Sequence, residues 1–146
     1  MNSLNFDFTE CSFADKLMSV KDRRDGLSRE GSGRVAIHKA TDIVHSYTLE
    51  CNYASGKKIN HLPPKVKTDG TIEPETFITD QNSRIYADGR PPPYTIEVFE
   101  DVGRAVCYAL LDFVQENPVS RLPLSPFKTI DGMRNELCIQ YNINVA

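Results

Sequence analysis

The sequence lacks several features that would assign it to a class at once. Its 146 residues include no tryptophan, no Cys-x-x-Cys pair and no Asn-x-Ser/Thr site for N-glycosylation. Without paired cysteines, a zinc knuckle and a thioredoxin-like redox centre are excluded. The first residues lack the basic and apolar regions of a signal peptide, and no apolar run reaches the roughly 20 residues of a membrane-spanning helix. We therefore expect a cytosolic or nuclear protein with reduced thiols and no membrane partner.

An excess of positive charge is also missing. The chain has 17 Lys and Arg residues against 20 Asp and Glu residues, which gives a formal net charge of −3. General nucleic-acid binding needs a surplus of basic residues over a whole face, so no nucleic-acid partner is expected. With 40% hydrophobic and 25% charged residues, the composition is that of a globular protein. The length allows one domain with a modest core.

Apolar alternation predicts strands in the first third of the chain. The pattern around Phe6 and Phe8 favours a short strand within residues 4–13, and two further strands are predicted at Val35–Ala40 and Ile43–Cys51. The glycine-containing, highly charged stretch between them and the first strand, residues 21–34, is predicted to be a polar loop.

Helical periodicity is confined to the last third. Residues 55–94 contain one proline pair and one proline triplet, which predict a long irregular loop. From Thr95, apolar residues recur at intervals of three and four, and Asn117-Pro118 ends the run, which predicts one amphipathic helix. A weaker repeat over 130–139 predicts a short last helix.

Two apparent ligand motifs fail on inspection. Gly26 and Gly31 have the spacing of a P-loop, but Ser32-Gly33 stands where that motif requires Lys and then Ser or Thr. The three histidines, His38, His45 and His61, have neither helical spacing nor a glutamate three residues later, so no self-contained zinc site is predicted.

Glu50 is the one carboxylate whose position raises a functional question. It ends an otherwise apolar predicted strand, where a free carboxylate is costly unless it is paired or solvated. The pattern alone allows an exposed strand-end glutamate or a functional group, and it favours the first reading.

Four stretches resemble the cytosolic carboxypeptidases, with the closest match to the fifth subtype. They read FDFT from residue 6, KDRRDG from 21, EGSGRVAI from 30 and HSYTLECNY from 45. The resemblance returns over residues 94–117 and is weak in the proline-rich stretch and in the last twenty or so residues. This family consists of zinc enzymes that trim glutamate from polyglutamylated proteins, tubulin foremost.

The resemblance implies roles for three residues. Glu50 matches the catalytic glutamate, a general base toward zinc-bound water. Thr48 matches a residue lining the pocket for the terminal side chain, on the same face of the predicted strand as Glu50. Arg34 falls near the floor of that pocket, where a guanidinium can bind a glutamate side chain bidentately.

The zinc ligands that the resemblance implies are not in this sequence. The family holds Zn²⁺ with a His-x-x-Glu pair and a later histidine, all upstream of the matched segment, and the chain has no His-x-x-Glu. We therefore expect an α/β fold that is an incomplete domain: the C-terminal part of a mixed β-sheet flanked by helices.

The expected domain organisation follows from the same resemblance. Residues 1–117 are expected to form the C-terminal part of a zinc carboxypeptidase catalytic domain, with a proline-rich loop at about 57–93. Residues 118–146 are expected to be a C-terminal extension.

Two functions remain open at this stage. The first is zinc-dependent removal of C-terminal or branch-point glutamate from polyglutamylated tails such as those of tubulin, in the cytoplasm or at the cytoskeleton, when the missing part is present. The alternative is an inactive remnant that at most binds acidic protein tails.

Overall fold

The computed structural model describes residues 1–11 and 33–142, and these fall into two units. One unit contains Met1–Asp7 and Asn52–Ala146, and the other contains Phe8–Cys51. Regular elements occur in both: α1 (Gly33–Thr41), β1 (Lys65–Lys67), β2 (Ile72–Glu73), α2 (Ile96–Phe113), β3 (Val119–Ser120), α3 (Ile130–Gln140) and single 3₁₀ turns at Phe8–Glu10, Arg84–Tyr86 and Leu122–Leu124.

The three strands form one small antiparallel sheet in the order β2-β1-β3. Val66 at the centre of β1 is opposite Ile72 of β2 and Ser120 of β3. A tight turn joins β1 to β2: Asp69 Oδ1 accepts hydrogen bonds from the backbone N–H and the hydroxyl of Thr71 at 2.9 and 2.6 Å. Gly70 adopts φ +85° in this turn, a backbone conformation that favours glycine.

The combination of helices and a sheet confirms the coarse α/β class. The strands, however, do not lie where the sequence pattern predicted them. The sheet uses residues 65–67 and 72–73 of the stretch predicted to be irregular. The three strands predicted in the first third are absent from the described residues: 8–10 form a 3₁₀ turn, 35–40 belong to α1, and 43–51 have no regular structure. Residues 12–32, which include most of the predicted polar loop, lie outside the described part.

The predicted strand at Val35–Ala40 is wrong for a local reason. The alternation of Val35 and Ile37 fits a strand, but the two alanines and Lys39 of the same stretch are strong helix formers. The end of α1 is well defined, since Thr41 donates its hydroxyl to the Ile37 carbonyl at 2.7 Å and Asp42 turns the chain with φ +56°. Only Val35 of this helix is buried.

The helix predicted after Thr95 is confirmed as α2, and the short helix predicted near the C-terminus is confirmed as α3. Thr95 precedes α2, and the helix ends four residues before Asn117-Pro118. Thr129 caps α3, accepting a hydrogen bond from the backbone N–H of Gly132 at 3.0 Å.

The N-terminal segment lies inside the core of the first unit. Leu4 is fully buried and packs with Leu62 and Tyr86. The backbone N–H of Asn60 donates to the Leu4 carbonyl at 2.8 Å, and its side-chain amide donates to the Ser3 carbonyl at 3.0 Å. Ser3, Leu4 and Asn5, which are distant in sequence from the rest of the unit, are thereby buried inside it.

Candidate active-site segment

All three predicted site residues belong to the second unit. Arg34 is the second residue of α1 and is half-buried. Thr48 and Glu50 lie after α1 in the segment 43–51 and are both exposed to solvent. We refer to residues 33–51 as the candidate segment.

Local hydrogen bonds fix the end of α1 within the candidate segment. The backbone N–H of Asp42 donates to the His38 carbonyl at 2.8 Å, which closes the last turn of α1. The Nδ1 atom of His38 lies 3.2 Å from the Ile43 carbonyl oxygen, so the imidazole can donate to it. This contact orients the imidazole of His38 at the end of α1 through one of its two ring nitrogens.

Beyond that point the candidate segment has strand-like composition without strand pairing. Its apolar side chains are exposed, with Val44 at 73% and Tyr47 at 66%. The Tyr47 hydroxyl and His45 Nδ1 form a hydrogen bond of 2.9 Å, and the centroids of the two rings lie 6.1 Å apart. A segment rich in β-branched and aromatic residues is normally covered on at least one face.

The structure does not bring the three predicted residues together into a built site. Among the described residues, no hydrogen bond or ion pair joins Arg34, Thr48 or Glu50 to another side chain. Because residues 43–51 are not a strand, the alternation that would place Thr48 and Glu50 on one face does not apply here. Their assigned roles stay predictions.

The described residues do not fit a zinc ion. Within the ranges 1–11 and 33–142, no group of three His, Cys, Asp or Glu side chains is arranged to hold a metal. His61, the third histidine considered above, instead lies 2.9 Å through Nδ1 from the amide oxygen of Gln81.

The strongest polar cluster of the first unit was missed by sequence reasoning. Arg121 is only 2% exposed and donates two hydrogen bonds to the carboxylate of Glu75, at 2.8 and 2.7 Å, and one to the Pro63 carbonyl. Lys65 lies 3.7 Å from the same carboxylate. Nothing in the sequence around Arg121 marks this residue, because its partners are about fifty residues away.

Burial and pairing shift two carboxyl groups in opposite directions. Burial alone would raise the pKa of Glu75, but hydrogen bonds from Arg121 and Thr79 outweigh it and lower the pKa. Burial raises the pKa of Asp101 on α2, although the Ser3 hydroxyl donates to its Oδ2 at 3.2 Å. The ionised Glu75 therefore stabilises the first unit, whereas ionisation of the buried Asp101 costs free energy in the fold.

Two of the cavities in the first unit are lined by none of the predicted site residues. One has a volume of about 280 Å³ with an apolar wall that includes Leu62 and an acidic rim that includes Asp80. The other, of about 310 Å³, lies between the end of α2 and the start of α3 and is bordered by Asp112 and Lys128. The Asp112 carboxylate accepts hydrogen bonds from the side chains of Asn2, Asn117 and Ser120.

None of the helices in the described part of the chain combines the length and apolarity needed to cross a bilayer. The longest of them, α2, has 18 residues and carries several charges.

Comparison with known proteins gives one consistent result. The chain is 46% identical over 134 residues to cytosolic carboxypeptidase-like protein 5 of Danio rerio. It is 44% identical over 139 residues to the proteins of that name from Rattus norvegicus and Homo sapiens. No protein-family model matches the chain.

These similarities cover 92% of this chain but only 14 to 15% of the length of the relatives. The chain therefore corresponds to a limited segment of such a protein, and the names place those relatives in the cytosol. Identity of this level along nearly the whole chain confirms the family resemblance: the chain is a homologue of one segment of the cytosolic carboxypeptidases.

Proposed function

We propose that this chain supplies part of the active site of a zinc carboxypeptidase that removes C-terminal or branch-point glutamate from polyglutamylated protein tails, such as those of tubulin. The proposal applies when the rest of a carboxypeptidase of this family is present. The observation that carries it is the 44–46% identity to cytosolic carboxypeptidase-like protein 5 along 92% of the chain. We place its action in the cytoplasm, at the cytoskeleton where tubulin is the substrate.

In this proposal Glu50 is the general base. A carboxylate that accepts a proton from the attacking water and passes one to the leaving amine accounts for peptide hydrolysis at a C-terminal residue. Glu50 is exposed to solvent, which leaves its carboxylate accessible to a substrate and to residues from outside the chain. The described residues contain no group of three side chains that could hold Zn²⁺, so a zinc site needs ligands from outside them.

Arg34 and Thr48 give the proposed specificity. Arg34 is half-buried at the start of α1, where a guanidinium keeps part of its charge unscreened for a glutamate side chain. Thr48 adds a hydroxyl two residues from Glu50. An arginine in such a pocket favours substrates that end in an acidic residue over those that end in an uncharged one.

A segment exchange tests the proposal. The corresponding segment of the Danio rerio relative is replaced by this chain, and glutamate release is measured on a polyglutamylated peptide. The chimera is expected to release glutamate, and Glu50→Gln in it should lower kcat by about 10²–10⁴-fold, the usual contribution of a general base. Glu136→Gln, an exposed glutamate on α3, is the matched control and should leave kcat unchanged.

Two results would count against the proposal. A folded chimera that binds the peptide without hydrolysing it would favour the inactive, tail-binding remnant. An unchanged kcat in the Glu50→Gln chimera would remove Glu50 from the site. Equal losses in the Glu50 and Glu136 variants would point to a general loss of structure.

A further inference from the structure

The chain passes from the first unit to the second and back, so two connections lead to the residues proposed for the active site. One connection follows Asp7 and the other precedes Asn52. Glu50 lies two residues before Asn52 in the sequence. The residues that flank both connections in the first unit therefore hold the ends of the stretch that carries Glu50.

Backbone contacts fix the chain just after the second connection. The Ala54 carbonyl accepts a hydrogen bond from the backbone N–H of Tyr94 at 2.8 Å, and Ser55 is opposite Pro93 in an antiparallel bridge. Residues 91–93 are all proline, whose rings restrict the backbone on that side. The start of the return into the first unit is thus held against a stiff stretch of chain.

The Tyr94 side chain extends this contact onto Gly56. A Cβ atom at Gly56 would lie 2.7 Å from the Tyr94 hydroxyl oxygen, which is too close for any side chain. It would lie 3.6 Å from Tyr94 Cζ, which is an ordinary van der Waals distance. The hydroxyl group, and not the ring, therefore requires glycine at this position.

The same hydroxyl reaches the flank of the first connection. It donates a hydrogen bond to the Asn5 carbonyl at 3.4 Å. Asn5 is buried, and its side-chain amide donates to the Tyr86 hydroxyl at 3.1 Å. The side-chain amide of Asn60 donates to the carbonyl of Phe6, the residue before Asp7. One tyrosine thus contacts the flanks of both connections.

Helix α2 holds the ring of this tyrosine from another side. Tyr94 comes two residues before the first residue of α2, and its ring packs edge-on against Phe99 of that helix at 5.5 Å between centroids. Aromatic pairs favour this geometry. A displacement of the Tyr94 hydroxyl therefore moves a packed ring and not a freely rotating group.

We propose that Tyr94 is a positioning residue for Glu50. Its contacts with both flanks, at Asn5, Ala54 and Gly56, are here called the Tyr94 clamp. The inference rests on the proposed role of Glu50 as the general base. Ala54 follows Glu50 by only four residues, so a displacement at the clamp is transmitted along a short stretch of chain. A misplacement of about 1 Å in an active site can cost about 10²-fold in rate.

Hydrogen exchange of the full chain tests whether the clamp exists. The amide at position 94 reports on it directly, because this N–H donates to the Ala54 carbonyl. Gly56→Ala should accelerate exchange of this amide by roughly tenfold or more, since the new methyl group displaces the hydroxyl. Gly103→Ala makes the same substitution where a Cβ atom meets nothing within 4 Å, and it should not accelerate this exchange.

A double variant separates the clamp from a general loss of stability. Tyr94→Phe removes the one atom that a methyl group at position 56 would approach too closely. Gly56→Ala combined with Tyr94→Phe should therefore return the exchange rate to within roughly threefold of the native value. If Gly56→Ala alone does not fold by circular dichroism, recovery of folding in the double variant is the same test. Unchanged exchange in Gly56→Ala, or no recovery in the double variant, would overturn the clamp.

Kinetics in the carboxypeptidase chimera test the positioning role. Gly56→Ala should lower kcat on a glutamate-ended peptide by about tenfold or more and change KM by less than about twofold, because the clamp acts on the base and not on substrate binding. The double variant should regain most of the lost kcat. Tyr141→Phe removes a hydroxyl from an exposed tyrosine near the end of the chain and should leave kcat unchanged.

These measurements distinguish failure of the clamp from failure of the proposed function. A parent chimera that releases no glutamate would remove the proposed function and the positioning role with it, whereas hydrogen exchange would still decide whether the clamp exists. An active chimera in which Gly56→Ala leaves kcat unchanged, or raises KM alone, would overturn the positioning role while Glu50 keeps its own.

Discussion

At the scale of single residues, burial forces polar side chains of the first unit into pairs. Arg121 is almost entirely buried. Two hydrogen bonds to Glu75 and one to a backbone carbonyl replace the hydrogen bonds that its guanidinium would make to water. Removing one partner leaves the other charge buried without compensation, which costs more than the pair contributes to stability.

Glu75→Gln should therefore destabilise the chain at pH 7. We expect a loss of about 3 kcal/mol, the lower end for a broken buried pair, because the Glu75 side chain is 26% exposed. Glu73→Gln is the control: its pair with Lys67 is more exposed, at 35% and 44%, and should contribute less than about 1 kcal/mol. Urea unfolding followed by circular dichroism measures both.

The directions of the pKa shifts determine how the stability lost in the Glu75→Gln variant depends on pH. The pKa of Glu75 is lowered in the fold, so its contribution to stability is fully present above the ordinary value of 4.5 and is lost as pH falls through the folded pKa. The pKa of Asp101 is raised by burial, so its contribution is present below 3.8 and is lost as pH rises through the folded pKa. The difference in unfolding free energy between the native chain and the Glu75→Gln variant should thus decrease below pH 4.5. A difference that stays constant with pH would contradict the assignment.

Arg34 carries the second prediction at this scale. In the exchanged carboxypeptidase, Arg34→Gln should lower kcat/KM on glutamate-ended peptides at least tenfold, because a bidentate charge pair is lost. Peptides that end in an uncharged residue should be much less affected. Lys39→Gln removes an exposed cation from the same helix and is the control. Equal losses on both peptides would make Arg34 a structural residue.

At the scale of elements, local hydrogen bonds decide between structures that the pattern allows. The stretch from Val35 to Ala40 is compatible with a strand or a helix, and the capping interactions of Thr41 and Asp42 accompany the helix. A strand would need a neighbour to complete its hydrogen bonds. Within the described residues no neighbour pairs with it.

Alanine substitutions at two helix glycines should change the stability of the chain in opposite directions. Gly103→Ala in α2 adds a methyl group in open space and should stabilise the chain by up to about 1 kcal/mol through helix propensity. Gly132→Ala in α3 places a Cβ 2.1 Å from the Phe127 carbonyl oxygen, so the backbone has to shift and stability should fall by more than about 1 kcal/mol. Thermal melts at low protein concentration compare the two, and equal effects would contradict the packing around Gly132.

At the scale of the whole molecule, the described part buries few large apolar residues and exposes many. The candidate segment leaves Val44 and Tyr47 in water, and α2 leaves Ile96 and Leu110 in water, although such side chains are typical of a core. This is expected of a chain that corresponds to 14 to 15% of its relatives, since a segment of a domain carries surfaces that meet the remainder.

The chain by itself should neither bind zinc tightly nor release glutamate. A catalytic zinc site needs three protein ligands in defined geometry, and the sequence has no His-x-x-Glu pair. Metal analysis of the purified chain and a glutamate-release assay are the measurements. Stoichiometric zinc with turnover would show that the histidines build a site that neither the sequence nor the described residues reveal.

The sequence by itself determined the features that depend on neighbours in the chain. The periodicity after Thr95 predicted α2, the weaker repeat predicted α3, and the motif around Glu50 identified the family, because each signal is complete within a short stretch. The roles of Glu50, Arg34 and Thr48 remain predictions from that resemblance.

Tertiary structure alone decided what depends on distant partners. It placed the strands at 65–67, 72–73 and 119–120, because strands need partners that alternation does not specify. It paired Arg121 with Glu75 across 46 positions and chose which apolar face of α2 is buried. Helix periodicity predicts one amphipathic helix, but only the fold determines that Val98, Val102 and Ala105 form its buried apolar face.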